Sequence, residues 1–292
     1  MERVTVRVPA TSANIGPGFD SLGMAFSFYN TVSLAHAEKT VITGCPAAYA
    51  GEDNLALLAF RAACRRAGRE APPVHIHIAG DVPVSRGLGS SATLLVGGAF
   101  GANLLLSLGL SREDILEIAT EIEGHPDNIA PAVYGGFTAS LMQNGRPMAV
   151  ACPVHPSLRF CAFIPDFKTR THDARAVLPK TVPFADAVFN ASHVAVLLSA
   201  LATGDTEMLF ASLVDRLHEP YRASLIDGFD AVKEAALAAG AHAFFISGSG
   251  STCMAIYTED GFAERVRPAV EKLPHAWRVL PLSLDETGAC AI

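Results

Sequence analysis

From Ser90 to Ser111 the chain carries no charged residue. A run of that length can cross a bilayer core of ~30 Å, or it can be a helix buried on most sides in a folded core. Gly97, Gly98, Gly101, Asn103 and Ser107 interrupt it, and no second such run is read in the sequence. The sequence therefore predicts a buried helix, with glycines where a neighbouring sheet or helix comes close. A helix of this kind needs layers on more than one side. The chain has 292 residues, half of them hydrophobic, which is enough for one large domain or two medium ones.

The helix is preceded by PVSRGLGSSAT, Pro83 to Thr93. Two familiar phosphate loops do not fit it. A P-loop needs a lysine and a Ser/Thr after its last glycine, whereas Gly89 is followed by Ser90, Ser91 and Ala92. The Gly87, Gly89, Ala92 spacing matches the dinucleotide fingerprint. However, the apolar alternation VHIHIA (Val74 to Ala79) ends too far upstream for that tight turn, and helix rather than strand follows. The loop still suits an anion. Its glycines let backbone N–H groups converge on phosphate oxygens, and the helix opening at Ser90 presents free N–H groups and the positive end of its dipole. The plain alternative is a turn with Ser90 as helix N-cap.

The net charge of −7 and the absence of a basic run longer than CRRAGR speak against a nucleic-acid partner. Six cysteines without ligand-like spacing read as free thiols in a reducing compartment. The N-terminus runs directly into RVTVRVPA, with no apolar leader expected. No membrane partner is expected either, and the cytoplasm is the expected location.

Val4, Val6 and Val8 alternate with polar residues as in a half-buried strand, and further strands are expected at 24–34, 40–43 and 74–79. DNLALLAFRAACRRAG and SREDILEIATEIEG are capped helices, the second with Ser111 and Asp114 as a capping box and Gly124 as its stop. Strands around Asn144-Gly145 form a hairpin. Beyond about residue 155 come a strand, two or three helices over 183–239, a strand–glycine turn–strand, a helix and a closing strand. This mixture is α+β in two halves, 1–154 and 155–292.

Four polar or glycine-rich stretches interrupt the core pattern: PATSANIGPGFDSLG (9–23), PVSRGLGSSAT (83–93), EGHPDNIAP (123–131) and ISGSGSTC (246–253). With the first, second and fourth in this order, the chain resembles the GHMP kinases over essentially its whole length. The first and third together are similar to the homoserine kinase branch. Ser251 stands where relatives often have proline. The resemblance implies an N-terminal nucleotide-binding half with the ribosomal-protein-S5-domain-2-like fold and a ferredoxin-like C-terminal half. It implies ATP and Mg²⁺ as cofactors, L-homoserine as the small-molecule substrate, a role in threonine biosynthesis, and a homodimer as the assembly often found among relatives.

Site residues follow from the same resemblance. Pro83, Val84, Ser85, Arg86, Gly87, Leu88, Gly89, Ser90, Ser91, Ala92 and Thr93 form the expected ATP loop, and Asn54 either touches the adenine side or only caps its helix. Ser91 and Glu123 are the implied Mg²⁺ ligands, in keeping with the one or two protein oxygens this ion usually takes. Asp127 is a general base or a supporting group, Asn128 a partner of the substrate hydroxyl, and His125 either positions substrate or caps a helix end. Asn14 and Asp20 face the ammonium and hydroxyl of the substrate. Thr171, Arg175 and Arg222 serve its carboxylate, which a planar guanidinium clamps bidentately. Gly248, Ser249 and Gly250 form a structural turn against the nucleotide loop or the substrate. His75 and His77 lack a third ligand for a metal, His172 beside Asp173 is incidental, and SGSGST is not a nucleophile elbow because a strand follows it. The rival readings are another small-alcohol kinase and a non-catalytic metabolite sensor.

Overall fold

The computed structural model describes residues 2–292. Strand β1 (Arg3–Ala13) pairs antiparallel with β2 (Leu22–His36), as the alternation of Val4, Val6 and Val8 requires, with a register shift between Pro9 and Ala10. Then follow β3 (Val41–Thr43), α1 (Leu55–Arg66), β4 (Val74–Gly80), α2 (Ser90–Leu106), α3 (Arg112–Glu123), α4 (Ile129–Tyr134), β5 (Phe137–Gln143) and β6 (Arg146–Cys152). The second half is β7 (Arg159–Pro165), α5 (Thr171–Ala176), α6 (Phe184–Thr203), α7 (Thr206–Ser212), α8 (Glu219–Arg222), α9 (Phe229–Ala238), β8 (Ala243–Ile246), β9 (Cys253–Tyr257), α10 (Phe262–Val270), β10 (Trp277–Leu282) and β11 (Cys290–Ala291).

Two sheets organise these elements. The first runs β11-β1-β2-β4-β3, with the β5–β6 hairpin joined to the start of β2. Its helices α1–α4 cover one face, burying Val6, Val8, Val32, Phe60, Val96 and Ile118 in one core. The second sheet runs β10-β7-β9-β8, the order of a ferredoxin-like βαββαβ unit, with α9 and α10 on one face. Its other face meets the first half: Ile15, Met24, Phe26 and Phe137 pack with Phe160, Phe245, Met254 and Leu201. The two halves therefore share a core.

The apolar run behaves as a buried helix. An added Cβ at Gly98 would lie 2.1 Å from the Ala56 carbonyl oxygen of α1, and one at Gly101 2.1 Å from the Leu34 side chain of β2. Only glycine lets α2 sit this close to both. The capping box of α3 is complete, with Ser111 and Asp114 each accepting from the other's backbone, and Gly124 ends the helix at φ +95°.

Three expectations are corrected. First, an apolar run besides Ser90–Ser111 exists: α6 is long and apolar enough to cross a membrane, whereas α2 is shorter. It lies in the fold as a surface helix, with Leu197, Ala200 and Leu201 in the shared core and Phe184, Val188 and Val196 exposed. Second, the second half does not keep its own C-terminus. After β10 the chain returns to the first sheet, where β11 pairs with β1 in the register Val6↔Ala291 and Arg7↔Cys290. The physical reason is the open edge of β1, which β11 closes. Third, four helices, α6 to α9, rather than two or three fill 183–239, because α7 and α8 are too short to show a period; α4 and α5, of six residues each, are likewise unannounced.

Candidate active site

The four irregular stretches meet at one cleft of ≈ 440 Å³ between the halves. That volume suits a small-molecule site.

At one end, α2 begins on Gly89, which adopts φ +63° with no side chain capping the first turn. Its leading N–H groups are therefore available to an anion. The residue must be glycine: an added Cβ would lie 1.9 Å from the Thr11 hydroxyl and 3.1 Å from the Asn128 amide oxygen. The glycine turn of the second half braces this loop. The Ser247 hydroxyl donates to the Gly87 carbonyl at 2.5 Å, and the Thr252 amide donates to the Arg86 carbonyl at 3.0 Å. Arg86 in turn donates to the carbonyls of Pro165 and Asp166, and burial lowers its pKa. It works as a strut between halves while still lining the cleft.

In the middle, the Ser91 hydroxyl on the first turn of α2 donates to Glu123 at 2.6 Å. Glu123 stands at the last turn of α3, just before its glycine stop. Two oxygen donors for a hard cation thus meet beside the uncapped helix end, and this donor set fits Mg²⁺. Beyond them, His125 Nδ1 lies 2.5 Å from Asp127, which is buried and also accepts from the Asn128 amide. Burial works against a proton on His125, but its hydrogen bond to Asp127 and the charges of Asp127, Glu123 and Asp20 outweigh it, so its pKa is raised. Ligand atoms of Asp20, His125 and Asp127 lie within 4.8 Å of one another. His125 Nδ1 and Asp127 Oδ1 are engaged with each other, whereas Ser91 and Glu123 form the oxygen pair that lies beside the helix start. Asn128 directs its carbonyl to the Thr11 hydroxyl at 2.7 Å.

The far end carries the charges. Asp20, held at φ +53° by its N–H donating to the Asn14 side chain, accepts both terminal nitrogens of Arg175 at 3.1 and 2.8 Å. The pair joins the first half to α5 of the second. Arg222 on α8 is only 2 % exposed. Its Nε and Nη1 donate to the carbonyls of Ala174 and Gly248, and its Nη2 has no protein acceptor among the described residues. Burial, and then the neighbouring Arg175, lower its pKa. Two guanidiniums therefore face one corner: Arg175 is paired with Asp20, Arg222 keeps an open nitrogen, and Asp127 lies close by, with a carboxylate oxygen within 4.8 Å of one of Asp20.

The sequence expectations divide accordingly. Val84, Ser85, Arg86, Gly87, Gly89, Ser90 and Ser91 line the cleft, as do Asn14, Asp20, Asn54, Glu123, His125, Asp127, Asn128, Thr171, Arg175, Arg222, Gly248 and Ser249. Pro83, Leu88, Ala92, Thr93 and Gly250 do not. Leu88 and Ala92 are core residues because they point away from the anion-facing side of the helix start. The Thr93 hydroxyl is buried, donating to the Ser90 carbonyl and accepting from Asn30. Asn54 caps α1 through its side-chain oxygen and donates to the Tyr49 carbonyl, so the capping role already occupies it. Asn14 is likewise spent on Asp20 and on the Gly248 carbonyl. Sequence reading missed Cys45, Pro46, Tyr49, Ile78 and Leu94, which form the apolar wall beyond the glycine loop. It also missed His218, whose ring is fully buried with Nε2 on the Gly16 carbonyl at 2.8 Å. Only the juxtaposition of Gly-rich loop and second half could have revealed it.

A glycine-started helix facing a charged corner across two α+β layers defines a class. The family described as GHMP kinases N terminal domain matches residues 54–136, and GHMP kinases C terminal matches 197–275. The chain belongs to the GHMP kinases. It is 41% identical over 288 residues to a homoserine kinase of Clostridium botulinum, covering 98% of this chain and 97% of the relative. It is 40% identical to one of Clostridium beijerinckii, with coverages of 99% and 98%. The crystal structure of homoserine kinase from Cytophaga hutchinsonii superposes with a TM-score of 0.90 at 31% identity, over 100% of this chain and 98% of that one. Within the GHMP kinases, this chain is a member of the homoserine kinase family.

Proposed function

We propose that this chain transfers the γ-phosphoryl group of ATP to the side-chain hydroxyl of L-homoserine, giving O-phospho-L-homoserine for threonine biosynthesis in the cytoplasm. The observation that carries the substrate is the Asp20–Arg175 pair beside the open Arg222 nitrogen at the far end of the cleft. A zwitterionic amino acid exchanges with this pair through both of its charges. Its ammonium replaces Arg175 on Asp20, and its carboxylate takes the freed fork of Arg175 and the open Nη2 of Arg222. An alcohol without these charges would have to leave the ion pair intact and the Arg222 nitrogen unfilled. All six cysteines are free thiols, which suits a reducing compartment.

ATP is read into the other end, with its triphosphate against the Gly87–Ser91 backbone and its purine towards Tyr49 and Ile78. Ser91 and Glu123 would hold Mg²⁺, which would supply charge neutralisation for the β- and γ-phosphates. The chain's own part is positioning. The N-terminus of α2 adds its dipole to the same anions, and Asp127 fixes the His125 ring beside the path from hydroxyl to phosphate. A loose phosphoryl-transfer transition state asks little of a base, so Asp127 is read as an orienting group.

ADP release with ATP and Mg²⁺ against homoserine, mevalonate, galactose, shikimate and serine tests this function. Release dependent on homoserine is expected. A faster rate with any other member of the panel would overturn it.

A further inference from the structure

We infer that Phe19 is a positioning residue for the amino-acid substrate: its ring is the platform that holds the two carboxylate-facing arginines in place. This inference rests on the substrate reading above and deepens it. The guanidinium carbons of Arg222 and Arg175 lie 5.0 and 5.6 Å from the centre of the Phe19 ring. Both are within the range at which a cation is drawn to an aromatic face. The His218 ring stacks on Phe19 as well, with centroids 5.1 Å apart and planes 29° apart. His218 is itself fixed, its Nε2 on the Gly16 carbonyl and its backbone N–H on Asp215 at 2.7 Å. The platform is thus part of a braced loop, and Asp20, the next residue, carries the exchangeable carboxylate.

The two arginines differ in how they are held. Arg222 keeps two backbone carbonyls whatever enters the cleft. Arg175 has Asp20 as its sole hydrogen-bonding partner among the described residues. When the substrate's ammonium takes Asp20, Arg175 loses both of those bonds. The Phe19 face, 5.6 Å away, still holds it without a hydrogen bond. Two like charges then sit side by side, and the negative face of one ring offsets their repulsion without consuming a hydrogen-bond donor. Aliphatic replacement keeps an apolar side chain, though a smaller one, and loses this property.

The test compares Phe19→Leu, Phe19→Tyr and a wild-type-shaped protein carrying pentafluorophenylalanine at position 19, whose ring has the opposite quadrupole. Steady-state kinetics with homoserine and with ATP are read for each. In the Leu and pentafluoro proteins the homoserine KM is expected to rise by about five- to tenfold. The ATP KM and kcat should stay within about twofold, and Phe19→Tyr should restore the wild-type KM. A pentafluoro protein with wild-type homoserine KM would overturn the inference, because its ring fills the same space. So would a loss confined to kcat, which would mark a general structural role. If Phe19→Leu does not fold, the pentafluoro protein alone decides between these outcomes. Wild-type protein that does not turn over homoserine would defeat the substrate reading itself, a result distinct from any of these.

Discussion

Single residues at this cleft are constrained by what their atoms would touch. Gly89 is the sharpest case, since it combines a left-handed φ with a Cβ position inside the Thr11 hydroxyl. Gly89→Val is expected to push the loop off the start of α2 and to weaken binding of a non-hydrolysable ATP analogue by at least about tenfold, with homoserine affinity less affected. Calorimetry on the folded variant checks this, and unchanged nucleotide affinity would remove the loop from the phosphate site. Glu219 illustrates a second constraint. Burial, against the pull of its bond from the Ile246 N–H at 2.6 Å, pushes its carboxyl up to about 8. The folded state therefore holds this proton more tightly than the unfolded state does. Its contribution is fully present below the unfolded value near 4.5 and is lost as pH rises through about 8. Glu219→Gln keeps an acceptor for Ile246 and removes the titration. The Tm of the variant relative to wild type should climb between pH 5 and pH 8, whereas a parallel pair of Tm curves would show that Glu219 ionises freely in the fold.

At the scale of elements, α2 organises the N-terminal half. It lies between α1 and the first sheet because its glycines let two backbones approach, and its first turn, started by Gly89, has no side-chain cap. Gly98→Ala should therefore cost stability even though alanine favours helix. The added carbon would press on the Ala56 carbonyl, and such overpacking costs about 1–3 kcal/mol, more than the propensity gain of up to about 1 kcal/mol. Urea denaturation checks it, and a stabilised variant would mean α1 and α2 are free to separate. This helix was legible in the sequence because its signals are local: an uncharged run, glycines within it and a glycine–serine entry. The capping box of α3 and the hairpin turn at Asn144-Gly145 were legible for the same reason. The two residues of β11 and the short α4 and α5 carry no period long enough to read. Leu88 and Thr93 were placed at the nucleotide because a motif is contiguous, whereas a helix start turns alternate residues into the core.

On the scale of the whole molecule, the two halves are tied at both ends of the site. They share a core through Phe26 and Phe160, whose rings meet edge to face at 5.3 Å, and the C-terminal strand returns to the first sheet. The cleft between them is bridged at its charged end by one ion pair, Asp20 with Arg175. This bridge was not legible in advance. Each of its residues was readable as facing substrate, but that they face one another depends on how the chain folds between two positions 155 apart in sequence. The central claim is that both charges of the substrate are needed to split this pair. The direct measurement is kcat/KM of the wild-type protein for homoserine, for 3-aminopropanol, which lacks the carboxylate, and for 4-hydroxybutyrate, which lacks the ammonium. The exchange predicts that each analogue falls below homoserine by at least about a hundredfold, because each leaves a charged group in the cleft without its partner. Either analogue being used within about tenfold of homoserine would show that the ion pair is not the gate to this site and would contradict the account.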